Sequence, residues 1–323
     1  MDLSILYFIV QQTMFFMIPL IIVALGGMFS ERSGVVNIAL EGKMVMGAFT
    51  GILFITTFQE SLPGQPILLL GLLVAMFTGI IVSLPHAFAS INLRANQIIS
   101  GVAINMFAPA FAIYVSRILL GTQNIQFVNQ FRIESVNVFG IPLGQIPVIG
   151  NLFFQNTFIT TYISLAILGI SAFVLYKTRF GLRLRACGEH PQAADSVGVS
   201  VFKIRYAGVI ISGALAGMGG LIWVIPISPV FTGTVSGYGF LALAVLIFGG
   251  WRPSKILFAA FFFGIMQTVS QSYTAIPILF ELGIPPVIYR ILPFVATLVV
   301  LSFTSKNTMA PKAVGQPYDK GVR

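Results

Sequence analysis

The sequence predicts an all-α, polytopic membrane protein of about nine spanning helices, with eight and ten as the outer limits. Three observations carry this. The chain of 323 residues holds only 18 basic and 9 acidic side chains, 8% charged, where soluble domains hold roughly a quarter. Its apolar content is 57% and its mean hydropathy +0.95, so most of its surface must face hydrocarbon rather than water. Long windows contain no charge at all: 3–30, 61–93, 95–116, 135–176, 206–251, 256–280 and 291–305. A water-soluble globule is excluded. One cysteine, Cys187, excludes an internal disulfide. The net charge of +9 punctuates the apolar runs, so it orients a membrane protein and does not mark a nucleic-acid binder.

A span needs about 20 apolar residues, which places helices at 5–29, 35–58, 67–91, 97–120, 157–176, 206–225, 238–250, 256–275 and 287–304. In the first sixty residues Glu31, Arg32, Glu41 and Lys43 interrupt an otherwise apolar stretch, the last two within the second span. The window 206–251 must hold two spans, because Pro226, Pro229, Gly233, Gly237 and Gly239 form a cluster of breakers. No basic run or small-residue cleavage site accompanies the first apolar stretch, which reads as a retained span rather than a signal peptide. One membrane domain, 1–305, and a polar tail, 306–323, account for the chain.

Lysine and arginine in short loops stay on the cytoplasmic side. Lys177, Arg179, Arg183, Arg185, Lys203 and Arg205 therefore place 177–205 inside, and alternation puts Arg32, Arg94, Arg252, Lys255 and the tail residues Lys306, Lys312, Lys320 and Arg323 on the same side. The segment 121–156, with Arg132 its only basic residue, lies outside. Within the inside loop, Glu189-His190-Pro191 suits a helix start and Gly198 a helix stop, giving a short helix over 189–199 lying along the membrane.

The motif Gly188-x-x-Pro191-x-Ala193-Ala194-x-x-x-Gly198-Val199, followed by Ile211-Ser212-Gly213-Ala214-Leu215-Ala216-Gly217-Met218-Gly219-Gly220, resembles the coupling-loop region of ABC importer permeases. The branch is the one serving ribose, branched-chain amino acids and nucleosides. The stretch Ser30-Glu31-Arg32-Ser33-Gly34-Val35-Val36-Asn37-Ile38-Ala39-Leu40-Glu41-Gly42 is similar to the smaller permease of simple-sugar and nucleoside transporters. So is Gly237-Tyr238-Gly239-Phe240-Leu241-Ala242-Leu243-Ala244 with Gly249-Gly250-x-x-Pro253. The resemblance spans 20–300 and departs at His190, where the family more often has Asn.

The resemblance implies a permease subunit of an ATP-driven importer in the cell membrane, carrying a nucleoside or related sugar. It implies three partners: a second, non-identical permease; an ABC ATPase with two nucleotide-binding halves; and an extracytoplasmic solute-binding lipoprotein. ATP and magnesium would sit on the ATPase, with no cofactor in this chain. Its own sequence agrees, for no phosphate-binding Gly-Lys-Ser/Thr loop is present. Coupling to the ATPase would fall to Glu189, Pro191, Ala193, Ala194, Asp195 and Gly198.

Two octapeptides, 33–40 and 236–243, share Ser, Gly, Ala and Leu at matching positions. Broken helices in an inverted repeat mark substrate paths in transporters, although four matches in so apolar a chain arise readily by chance. Candidates for the path are Asn37 and Glu41, one turn apart; Asn96 and Asn105 in the fourth span; and Phe231, Tyr238 and Phe240 beside the glycines of the second break. Helix-to-helix hydrogen bonding is the plainer role for each polar group, Gln97, Gln267 and Gln271 included, and the partner expected for Glu41 is Lys43 or Arg32. His86 reads as a packing histidine, and two His with one Cys cannot make a zinc site. A self-contained secondary transporter is the alternative, but it requires an ionisable coupling site at mid-membrane that the longest spans lack. An intramembrane enzyme finds no nucleophile and base pairing here.

Overall fold

The computed structural model describes residues 3–127, 130–138, 141–304 and 310–320. Its helices are α1 (Leu3–Arg32), α2 (Leu40–Phe58), α3 (Gln65–Ile91), α4 (Gln97–Leu120), α5 (Ile159–Lys177), α6 (Arg179–Glu189), α7 (Pro191–Ser196), α8 (Val201–Ile227), α9 (Tyr238–Phe248), α10 (Pro253–Ser272), α11 (Pro277–Glu281) and α12 (Pro286–Thr304). Every expected span contains a helix, but the second starts at Leu40 instead of residue 35, because 33–39 is an irregular break. Among the described residues, α1, α3, α4, α5, α8 and α10 are each long and apolar enough to cross a membrane. The exceptions have local causes: α2 carries Glu41 and Lys43 in its first turns, and α9 has only 11 residues.

The ends of the helices are chemically specified. Asn96 caps α4, its Oδ1 accepting from the N–H of Ile98 (2.9 Å) and Ile99 (3.2 Å), and Gly121 at φ +71° closes the same helix. Pro at the first helical turn opens α7, α10 and α11.

α8 is the axis of the bundle, packed by α1, α2 and α3. The reason is the glycine run quoted above. A Cβ at Gly217 would strike the Ala75 carbonyl of α3, and one at Gly220 the backbone of Met44 in α2. From the other side, a Cβ at Gly26 of α1 would lie 2.9 Å from the Ser212 carbonyl oxygen. Without lipid-exclusion forces to drive helices together, close backbone approach of this kind supplies the dispersion energy that holds a membrane bundle.

The connection between α4 and α5 combines short strands with helical turns at Leu143–Gln145 and Gly150–Phe154. Arg132–Ser135 pairs antiparallel with Gln155–Phe158, and Ile125–Gln126 pairs with Val230–Phe231, tying this connection to the break between α8 and α9. The basic segment 177–205 lies at the opposite end of α8. There Arg32 donates to the Trp251 carbonyl (3.2 and 3.1 Å), and the Trp251 indole donates to Glu31 (2.6 Å). The 11 residues of α9 climb about 16 Å from that level at 1.5 Å per residue, half of a hydrocarbon core of about 30 Å. The N-terminus of α9 therefore lies about half a hydrocarbon thickness from the Trp251 level.

Candidate functional site

The first break, 33–39, must satisfy its backbone without water, and side chains of α1, α3 and α4 do so. Ser30 Oγ donates to the Val35 carbonyl (2.8 Å), Gln97 Oε1 accepts from the Val36 N–H (2.8 Å), and His86 Nε2 meets the Val36 carbonyl (3.0 Å). Asn105 donates to the Ile38 carbonyl (2.8 Å) and accepts from the Gly42 N–H (2.7 Å). Asn37 is fully buried; it accepts from Lys43 Nζ (2.9 Å) and donates to Ser212 Oγ (2.5 Å). Asn37 and Asn105 thus hold the break in shape, whereas Asn96 is exposed and caps its helix.

The second break, 228–237, meets the first. Glu41 at the start of α2 accepts from the N–H of Gly237 (2.9 Å) and Gly239 (2.7 Å) at the start of α9. Two helix N-termini thus converge on one carboxylate. The expected partners were Lys43 or Arg32; the amides take their place because a helix N-terminus presents free N–H groups and a positive dipole end at that depth. Lys43 turns instead to Asn37. The matched octapeptides differ locally: the first stays irregular up to Leu40, while the second is helical from Tyr238. Phe231 and Tyr238 are buried and Phe240 is half exposed, at 51%.

Beyond Tyr238, towards the N-terminal end of α1, a cavity of about 530 Å³ opens between α1, α8, α10 and α12. Phe15, Phe16, Trp223 and Tyr238 line it, with the rings of Trp223 and Tyr238 5.2 Å apart. Gln12, Gln267, Gln271 and Arg290 supply polar groups. Sequence reading missed Arg290, which falls inside the expected span 287–304, just before the charge-free window 291–305. Of the path candidates, Tyr238 alone faces this space; Phe231 borders a smaller cleft on the other side of Trp223.

At the basic end, the expected helix over 189–199 is shorter and its neighbour longer. Arg179–Glu189 is itself helical, capped by Thr178 whose Oγ1 accepts from the Gly181 N–H (3.2 Å). Glu189 closes that helix instead of opening the next and pairs with Arg32 (3.7 Å). Pro191 starts α7, and Gly198, at φ +82°, follows its end. Ala193 is exposed and Asp195 half buried, but Ala194 turns inward against Cys187, Val201 and Tyr318. The most exposed apolar residue here is Val197, at 78%, an apolar side chain next to the helix-ending glycine. The segment 310–320 straps this end: the Ala313 N–H donates to the Gly188 carbonyl (2.9 Å), the Gly315 N–H to the Gly34 carbonyl (3.1 Å), Arg205 to the Gln316 carbonyl (3.0 Å), and Arg94 pairs with Asp319 (2.7 Å). Lys306 and Arg323 lie outside the described residues.

Residues 9–301 match the family described as the branched-chain amino acid transport system / permease component. The chain belongs to this family. It is 45% identical to the guanosine ABC transporter permease protein NupQ of Bacillus subtilis, over 99% of both chains. It is 38% identical to the nucleoside ABC transporter permease protein NupC of Lactococcus lactis, over 98% of both. Identity to the putative glucose ABC transporter permease protein TsgC13 of Haloferax volcanii is 31%, over 93% of this chain and 94% of that one. No solved structure matches. The permease is a multi-pass membrane protein and a transport subunit rather than an enzyme. Its family works with an ATPase and a solute-binding protein.

Proposed function

We propose that this permease imports nucleosides, paired with a second, non-identical permease and driven by an ATPase with two nucleotide-binding halves that carries the ATP and magnesium. An extracytoplasmic lipoprotein delivers the solute. The observation that carries the proposal is full-length similarity to two permeases named for guanosine and nucleosides. The fold is compatible with it: converging helix breaks and an aromatic cavity above them suit an uncharged ring-bearing solute. The α6–α7 end and the strap face the cytoplasm in this proposal, since their loop holds most of the basic residues, and 121–158 faces outward. The path runs along the two breaks, where Asn37 and Asn105 shape the wall, Asn96 caps the helix that carries Asn105, and Glu41, Phe231, Tyr238 and Phe240 stand in or beside the second break.

Force from the ATPase enters through α7. Pro191 and Gly198 fix its ends, Ala194 seats it on the membrane domain, and Ala193, Asp195 and Val197 meet the ATPase. Glu189 braces the preceding helix on Arg32.

The test is ATP-dependent uptake by the reconstituted complex, with labelled inosine competed by unlabelled nucleosides, ribose, glucose and amino acids. Nucleosides should compete and glucose should not; the reverse would make this a sugar permease. Val197→Arg and Ala193→Arg should abolish binding-protein-stimulated ATP hydrolysis while the two permeases still co-purify. Wild-type stimulation in both would remove α7 from the contact.

A further inference from the structure

We infer that the cavity between α1, α8, α10 and α12 is a site that recognises the base of the nucleoside and not its sugar. This rests on the nucleoside proposal and specifies it. A volume of about 530 Å³ falls within the range of small-ligand sites, roughly 300–1,000 Å³. Its walls offer flat stacking surfaces in Phe15, Trp223 and Tyr238, and aromatic stacking accepts any base because every base has a π-face.

The Trp223 indole and the Tyr238 hydroxyl lie beside one another and interact, both polar atoms closed off from the cavity, so this pair forms a fixed aromatic wall and the free hydrogen-bonding groups are the amides. Gln267 and Gln271 stand one turn apart on α10 and point the same way, across from Gln12 of α1. Each amide offers donor and acceptor side by side, the pattern that base edges present. No hydrogen bond within the described chain engages these three side chains. No Asp or Glu, the residue type that holds the ribose hydroxyls in dinucleotide sites, lines the cavity. Arg290 at its edge, with no carboxylate partner among the described residues, repels cationic solutes and leaves neutral rings admitted.

The chain has two tryptophans, Trp223 and Trp251, so fluorescence reports on the site directly. The assembled transporter in nanodiscs, without its binding protein, is titrated with inosine, hypoxanthine and ribose. Inosine and hypoxanthine should quench with dissociation constants on the order of millimolar, weak enough for release, and ribose should not. The quench should vanish in Trp223→Phe. Gln271→Ala should weaken it by roughly three- to tenfold, the loss of one hydrogen bond. An equal response to ribose, no response up to the solubility limit, or a quench that survives Trp223→Phe would each overturn the site. ATP-driven inosine accumulation in the same preparation separates the two ideas. Accumulation without quenching discards the base site and keeps the nucleoside function, whereas no accumulation of any nucleoside discards the function itself.

Discussion

Glu41, itself buried, holds the two breaks together through the amides of Gly237 and Gly239. Glu41→Ala leaves the Gly237 and Gly239 amides without an acceptor, at a cost of about 1–3 kcal/mol each. Glu41→Gln keeps a carbonyl acceptor and should fall between. Thermal unfolding of the detergent-purified protein should rank them wild type, Gln, Ala. Asn37→Ala strands the buried Lys43 ammonium and should be comparably destabilising in the same assay. Cys187 is the opposite kind of residue. Burial under the strap pushes its thiol up to about 11, Arg205 nearby pulling weakly the other way. With the folded value above the unfolded one, near 8.5, the neutral thiol's contribution is complete below that value and is lost as pH climbs towards 11. Maleimide should therefore fail to label the native protein at pH 7.5 and should label it once the strap opens in alkali. Fast labelling at pH 7.5 would show the strap unseated.

At the scale of elements, the bundle depends on α8 carrying hydrogens where other helices carry side chains. Gly217→Leu sets a branched chain against the Ala75 carbonyl and the Gly79 backbone, which cannot move aside as a rotamer can. Correctly folded protein, measured by size-exclusion in detergent, should drop to near nothing. Gly169 in α5 is the control: nothing lies within 4 Å of a Cβ there, so Gly169→Ala should be neutral or stabilise by up to about 1 kcal/mol. The strap ties α6, α8 and the first break into one unit through Gly188, Arg205 and Gly34. Deleting 310–320 should leave the membrane bundle folded while exposing Cys187 to maleimide and uncoupling ATP hydrolysis from uptake.

For the whole molecule, the outward faces of α3, α4 and α12 remain apolar, from Leu73 and Phe77 to Met106, Phe107 and Leu298, as a membrane-embedded bundle requires. The chain has no phosphate loop and so no means of its own for driving solute uphill with ATP. Reconstituted by itself under an ion gradient it should accumulate no nucleoside; accumulation would revive the secondary-transporter alternative. Most of this scale is legible in the sequence. Charge-free windows located most of the spans, since the cost of burying charge in hydrocarbon depends only on composition and length, whereas α2 carries Glu41 and Lys43 and lies in none of them. The basic segment 177–205 and the breaks at Gly34 and Gly237 were visible for the same reason.

What the sequence by itself determined is therefore the solvent, the spans, the family and the places where helices stop, all of them one-dimensional consequences of side-chain transfer energies and backbone freedom. Which polar group answers which was decided only by the tertiary structure. Glu41 lies two residues from Lys43 yet bonds to amides almost 200 positions away. Ala194 and Ala193 are chemically identical yet face opposite ways. Gln12, Trp223, Gln271 and Arg290 come from four separate segments and share a cavity that no local pattern announces. In hydrocarbon every polar group must find a partner, and the bundle's close packing, not the spacing along the chain, determines which partner lies within reach.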